Sequence, residues 1–200
     1  MASPQKKSTF ISLAEYLEQE KTAIYKSEYY AGAIFMMAGG SPNHNRISGN
    51  AFSELLINTR GSSCEPFNSD QQLMLPGGLY TYPDAMVVCG EIEYDEKDSN
   101  AITNPVLIVE VLSPSTSNYD RGEKFEFYRE LDSFKEYLTI HQDRVHIEHW
   151  YKQTNGQWSL TEYRNRNDTV VLGSISTKLQ VDQLYERVEW HNEPRKLTRD

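Results

Sequence analysis

Pro105-Val106-Leu107-Ile108-Val109-Glu110-Val111-Leu112 is an aliphatic run carrying a single carboxylate. A strand that is apolar at nearly every position, rather than at every second one, belongs inside a sheet covered on both faces. Pro105 opens the run and Ser113-Pro114-Ser115-Thr116 stops it. With helical and strand patterns on either side, this central strand predicts a mixed α/β or α+β domain. Glu110 is the informative residue. An ionised carboxylate buried without a partner is costly, so it must be paired, protonated or metal-bound, unless it sits at a strand end and reaches solvent.

Upstream, residues 80–89 read as a strand in which Asp84 heads the apolar stretch Ala85-Met86-Val87-Val88. Taken alone, Asp84 after Pro83 is an ordinary Pro-Asp turn. Residues 65–75 read as another strand, closed by the turn Pro76-Gly77-Gly78. Ser41-Pro42 starts a helix running to about residue 59, with Ser as N-cap and Pro at its first position. Ile47, Ala51, Phe52, Leu55 and Leu56 form its apolar stripe. Before it, residues 26–30 and 33–37 form a hairpin broken at Ala31-Gly32. The capping box Ser12-Leu13-Ala14-Glu15 opens an N-terminal helix ending near Lys21.

Downstream, residues 91–104 are a polar loop and residues 120–131 are helical. Residues 137–140 are a short strand, and 144–151 and 158–163 flank Asn155-Gly156 as a C-terminal hairpin. A strand at Val170-Val171-Leu172 and a helix near 181–188 follow. Residues 1–191 read as a single domain, and 192–200 as a charged, frayed tail.

The 200 residues carry 29 Asp+Glu against 20 Lys+Arg, a net charge of −9. Leu, Ile, Val and Phe make up only 22%, and the 13 Tyr and 3 Trp supply the missing buried area. No apolar run is long enough to span a membrane. Residues 1–10 lack the apolar core of a secretory signal. Cys64 and Cys89 are too few for a disulfide scaffold, which suggests a reducing, cytoplasmic setting. Nucleic-acid readers are usually basic, whereas this chain has a pI near 5.1. Contact with nucleic acid would need a local basic patch or bound cations.

Neighbouring strands lie about 4.8 Å apart, so adjacent strands can set Asp84 beside Glu110. Two carboxylates at that distance repel unless a cation sits between them. Hard divalent cations take such oxygens. Lys124 is the third candidate. In the 120–131 helix, positions 121, 124, 128 and 131 share a face made apolar by Tyr128 and Leu131. Arg121 and Lys124 on that face point cations at something anionic beneath, although a snorkelling lysine fits as well. His44 lies on the stripe side of its helix and reads as a capping or core-edge histidine. Glu54 on the same helix reads as solvated. His146 and His149, three apart in a strand, face opposite sides and make no zinc pair. No zincin, Cys-x-x-Cys, dinucleotide, P-loop or nucleophile-elbow motif is present.

Tyr82-Pro83-Asp84, Asn104-Pro105 through Ser115-Thr116, and Tyr119-Asp120-Arg121-Gly122-Glu123-Lys124-Phe125 together resemble the Uma2 family (formerly DUF820). That family is grouped with the endonucleases of the PD-(D/E)XK superfamily. The resemblance runs from the Ala14-Glu15-Tyr16-Leu17 helix to Leu184-Tyr185. It implies a restriction-endonuclease-like mixed β-sheet flanked by helices, and metal-assisted hydrolysis of phosphodiester bonds. Asp84 then matches the motif aspartate and Glu110 the second acidic residue. With the Val111 carbonyl, they would hold Mg²⁺ or Mn²⁺. Leu112 stands where the basic pattern has lysine, and Lys124 is the replacement offered by the following helix. His44 matches a histidine common in the family, and Asp70 an acidic position on the preceding strand. The segment Tyr30-Ala31-Gly32-Ala33 departs from relatives with acidic residues around the glycine.

Three functions follow as expectations. The first is a Mg²⁺- or Mn²⁺-dependent nuclease acting on nucleic acid, DNA before RNA, as a homodimer with Phe125 or Trp150 as interface anchors. In it the Asp84 and Glu110 carboxylates lie roughly 4–6 Å apart, and the Lys124 ammonium lies within about 4–6 Å of the pair. The second is a catalytically inactive module of the same fold, binding nucleic acid or protein. The third is a hydrolase using the carboxylate pair on a glycosidic bond. That would need a tryptophan platform beside the carboxylates, yet Trp150, Trp158 and Trp190 all lie far downstream.

Overall fold

Helix starts in this chain are set by local capping chemistry. The computed structural model describes residues 10–37, 39–114 and 116–190. Helix α1 (Leu13–Glu20) begins where the Ser12 hydroxyl accepts from the Glu15 N–H and Glu15 reaches back to the Ser12 N–H. It leads into the hairpin β1 (Ser27–Tyr30) and β2 (Ala33–Met36). Ala31 and Gly32 both take positive φ, 48° and 86°, as a two-residue turn of a twisted hairpin requires. Helix α2 (Pro42–Asn58) starts at Ser41, whose hydroxyl accepts from the His44 N–H. Its buried stripe is Ile47, Ala51 and Leu55; Phe52 is half-buried and Leu56 is exposed.

The expected strand at 65–75 is two strands in different sheets, β3 (Cys64–Asn68) and β4 (Leu73–Leu75). The expected strand at 80–89 likewise divides into β5 (Leu79–Thr81) and β6 (Ala85–Cys89). The chain leaves the first sheet at Tyr82-Pro83-Asp84, where proline offers no N–H to a ladder. Strand β7 (Leu107–Leu112) is buried at all six positions. The expected 120–131 helix is broken into α3 (Ser117–Arg121) and α4 (Glu123–Tyr128) at Gly122, whose φ −109°, ψ −103° is not helical. Then follow β8 (Glu136–His141), β9 (Ile147–Lys152), β10 (Trp158–Tyr163), β11 (Thr169–Leu172), β12 (Thr177–Gln180) and the short α5 (Val181–Leu184). Strand β12 had no expectation, and α5 stops short of the expected 188. The tail at 192–200 lies outside the described residues.

Six strands form the main sheet in the order β10-β9-β8-β7-β6-β3. Only β7 and β8 run parallel, so the sheet is mixed. A second sheet, β2-β1-β5-β4, is antiparallel, and β11-β12 is a separate ribbon. Alternation along the strands sorts the core into two layers. Ala85, Val87, Leu107, Val109 and Val111 face α2, the ribbon and α5. Met86, Val88 and Ile108 face Tyr128, Phe134 and Tyr137 beneath α4. Each large apolar side chain so buried contributes roughly 1.5–3 kcal/mol. Of the two residues expected as interface anchors, Phe125 is buried and Trp150 is half-buried against the same aromatic layer. The Phe125 ring lies 4.9 Å from Tyr137, 5.4 Å from Trp150 and 5.3 Å from Trp158. The glycosidase-type platform is not built: Trp150 and Trp158 pack in this aromatic layer, and Trp190 packs on Tyr185. Cys64 and Cys89 stand opposite each other across β3 and β6 and are joined in a disulfide, although their small number suggests a reducing setting.

Candidate active site

Alternation along β7 decides where Glu110 points. Val109 and Val111 face α2, so Glu110 turns with Ile108 to the aromatic layer under α4. The β6–β7 ladder ends at the pair Ala85 and Val109, so Asp84 leaves β6 level with Glu110. The Asp84 carboxylate accepts from the Val111 N–H at 2.7 Å, satisfying the backbone where β6 has stopped pairing. Its Oδ2 lies 3.3 Å from His44 Nε2. Asp84, Glu110, Val111, His44 and Lys124 line one cleft of about 1610 Å³.

Lys124 is the second residue of α4, restarted at Gly122, and only 4% of it is exposed. Its Nζ lies 2.8 Å from Glu110 Oε1, 3.3 Å from Glu28 and 3.9 Å from Asp120. Tyr128, one turn on, donates its hydroxyl to Glu110 Oε1 at 2.7 Å. Glu28 comes from β1 and accepts from the Thr81 hydroxyl. Four carboxyl groups thus gather around one lysine and one histidine.

Burial drives the Glu110 pKa upward; Lys124 opposes the shift, and the charges of Asp120 and Asp84 add to it. Asp120 is raised for the same first reason, burial, again against Lys124. Burial also works against charge on Lys124, but Glu110, Glu28 and Asp120 overcome it and raise its pKa well above the ordinary value. His44 is disfavoured as a cation by burial, yet its bond to Asp84 and the surrounding carboxylates raise its pKa on balance. Four carboxyl groups thus face only two cationic side chains, Lys124 and His44. The cluster's donors are carboxylate oxygens, which suit a hard divalent cation such as Mg²⁺ or Mn²⁺. The residues fit a metal of that class.

Sequence reasoning missed Glu28 and Asp120. Both carried a signal: Glu28 interrupts an aromatic strand, and Asp120 stands four residues before Lys124 on the same side of a helix. Asp70 shares the cleft but is paired with Lys26 at 3.0 Å on its rim. Arg121 does not join Lys124. The break at Gly122 turns it to Glu148, with Nε 2.9 Å from Oε2, and its Nη2 lies 3.3 Å from His141 Nε2. Glu54 is bonded to Asn58 on its own helix. His146 and His149 have separate partners, Glu162 at 2.8 Å and Glu136 at 2.6 Å.

A family model described as "Uma2: Putative restriction endonuclease" matches residues 13–184. The uncharacterized protein sll1609 of Synechocystis sp. (strain ATCC 27184 / PCC 6803 / Kazusa) is 40% identical over 158 residues, covering 78% of this chain and 89% of that protein. The uncharacterized protein slr1290 of the same organism is 37% identical over 184 residues, covering 92% and 95%. A solved structure described as "a putative nuclease belonging to DUF820 from Anabaena variabilis ATCC 29413" superposes with a TM-score of 0.69. It covers 88% of this chain and 97% of its own, at 18% identity, a likeness of fold.

Proposed function

Since the chain belongs to the Uma2 family, we propose that it is a Mg²⁺- or Mn²⁺-dependent endonuclease hydrolysing phosphodiester bonds of nucleic acid, DNA in the first place. The observation that carries this reading is the buried Lys124–Glu110 contact of 2.8 Å, formed level with Asp84 at the end of the β6–β7 ladder. It supplies the lysine that Leu112 cannot. Asp84, Glu110 and the Val111 carbonyl would hold the cation, which when bound acidifies a water and neutralises phosphate charge.

The chain's own groups do the rest. Lys124 is held by three carboxylates and stays protonated, so it presents a fixed positive charge to the phosphate oxygens. Tyr128 fixes the rotamer of Glu110. His44 and the Val111 N–H fix that of Asp84. Such supporting bonds keep a site in its productive geometry. The acidity of the chain then ceases to be an objection, because the cation brings positive charge to the scissile bond.

The reading extends to two copies acting together, each addressing one strand. Ile24, Tyr25, Phe35 and Met36 are exposed near the β1–β2 hairpin at the rim of the cleft and offer an apolar contact. Sedimentation as a 23.1 kDa monomer at micromolar concentration would remove the dimer. The nuclease itself is tested by plasmid nicking and calorimetric Mn²⁺ titration. Wild type should nick with Mn²⁺ and stop with chelator. Lys124→Ala should abolish nicking and keep Mn²⁺ binding, because lysine is no ligand. Glu110→Ala should weaken Mn²⁺ binding itself. Wild-type-like nicking by Lys124→Ala would remove the lysine from the mechanism. An inert wild type would leave a binding module of the nuclease fold.

A further inference from the structure

On the β8–β9 side of the main sheet stands a second cluster that the nuclease reading leaves unused. His141 ends β8; His146 directly precedes β9 and Glu148 is its second residue, so the two, two apart on extended backbone, share a face. The three residues are 5%, 4% and 8% exposed. One ligand atom from each falls within 4.8 Å of the others. The imidazoles of His141 and His146 stack with centroids 4.5 Å apart and planes 10° from parallel. The Tyr185 hydroxyl lies 3.0 Å from the carbonyl oxygens of both histidines, clamping the turn that joins them.

His146 carries the deciding feature. Its Nε2 is bonded to Glu162 at 2.8 Å, and its Nδ1 is buried with no hydrogen-bond partner. Buried polar atoms are nearly always satisfied, so an orphan calls for an account. A carboxylate on one ring nitrogen with the other left free is how metal-ligating histidines are oriented.

Two guanidinium groups crowd the cluster. Arg121 donates to Glu148, and its Nη2 and the Arg144 Nη2 lie 3.3 and 3.4 Å from His141 Nε2. The Thr139 hydroxyl donates to Glu148 Oε2 at 3.1 Å. Arg121 is the cation now occupying the carboxylate. Its side chain is 36% exposed, so it has a route to solvent.

We propose that His141, His146 and Glu148 form a binding site for a transition-metal cation of the Zn²⁺ class, separate from the Glu110 cluster, with Arg121 as its displaceable occupant. Two imidazoles and one carboxylate suit Zn²⁺ and leave a coordination position open. The nitrogen donors disfavour Mg²⁺, which prefers oxygen.

The test uses the full chain, stripped with chelator, kept free of reductant and titrated calorimetrically with Zn²⁺ and with Mg²⁺. Zn²⁺ should bind in the micromolar range or tighter in wild type, and equally well in Asp84→Ala/Glu110→Ala. His146→Gln should weaken it by about tenfold or more. Arg121→Ala should tighten it, a gain that misfolding cannot mimic. The proposal is overturned by Zn²⁺ affinity that is unchanged in both His146→Gln and Arg121→Ala. It is equally overturned by Zn²⁺ binding that disappears with Asp84 and Glu110, by Mg²⁺ binding that His146→Gln abolishes, or by no Zn²⁺ binding at all.

Discussion

At the scale of single residues, the cleft is a contest between burial and charge. Glu110 is 5% exposed and lies among aromatic rings, so its ionised form depends on the Lys124 ammonium and the Tyr128 hydroxyl. His44 shows the opposite balance, because its neighbours are anionic and overcome burial. Its proton is bound more tightly in the folded chain than in the unfolded one. The stability it contributes is therefore fully present below about pH 6.5, the free histidine value, and is lost as pH rises through the higher folded value. In metal-free buffer, His44→Asn should lose stability on the acid side and match wild type on the alkaline side. Urea denaturation at both pH values measures this. An equal loss at both would mean that the imidazole matters for packing and not for charge. The sequence offered His44 as a capping or core-edge residue. Its contact with Asp84 arises because α2 and the end of β6 meet, and neither segment's pattern specifies that meeting.

At the scale of elements, the hairpin β1–β2 and the break at Gly122 place the groups around Lys124. The hairpin carries Glu28, and its turn holds Ala31 at φ 48°, a conformation costly for a residue with a Cβ. Asparagine tolerates that conformation and pairs well with a following glycine. Ala31→Asn should therefore stabilise the protein by about 1 kcal/mol, read as a shift in the urea midpoint without a change in slope. No gain would mean the turn is set by the packing of Phe10 against Gly32 instead. The helix break shows how an element misread changes a site. A continuous 120–131 helix would have put Arg121 and Lys124 on one face. With Gly122 out of the helical region, Lys124 turns to Glu110 and Arg121 to Glu148. Glycine at position 122 was visible in the sequence, but a lone glycine within an otherwise helical pattern is commonly tolerated.

For the whole molecule, the main sheet is the frame, and its edge strand β3 is tied to β6 by the Cys64–Cys89 disulfide across 25 residues of chain. Closing a loop of that length restricts the unfolded chain by about 3 kcal/mol. Reduction should lower stability by that order, measured by urea denaturation with and without dithiothreitol. An unchanged midpoint would show that the strand pairing alone holds the edge. The buried part of the 22% Leu, Ile, Val and Phe lies mainly in two layers, one against α2 and one aromatic layer beneath α4.

The amino-acid sequence by itself determined the buried strand at 107–112, the capped starts of α1 and α2, and the two hairpins, while Asp84, Glu110 and Lys124 were singled out together by the resemblance to a family. The strand, the capped starts and the hairpins follow from apolar period, capping side chains and turn residues, all of which act within a few positions. Only the tertiary structure decided that 65–75 and 80–89 each serve two sheets, that Glu28 and Asp120 join Lys124, that Arg121 leaves it, and that Cys64 faces Cys89. Those outcomes depend on strand register and on which layers pack together. Such choices are made between segments distant in sequence, where the energy of burial is shared and no single segment's pattern records it.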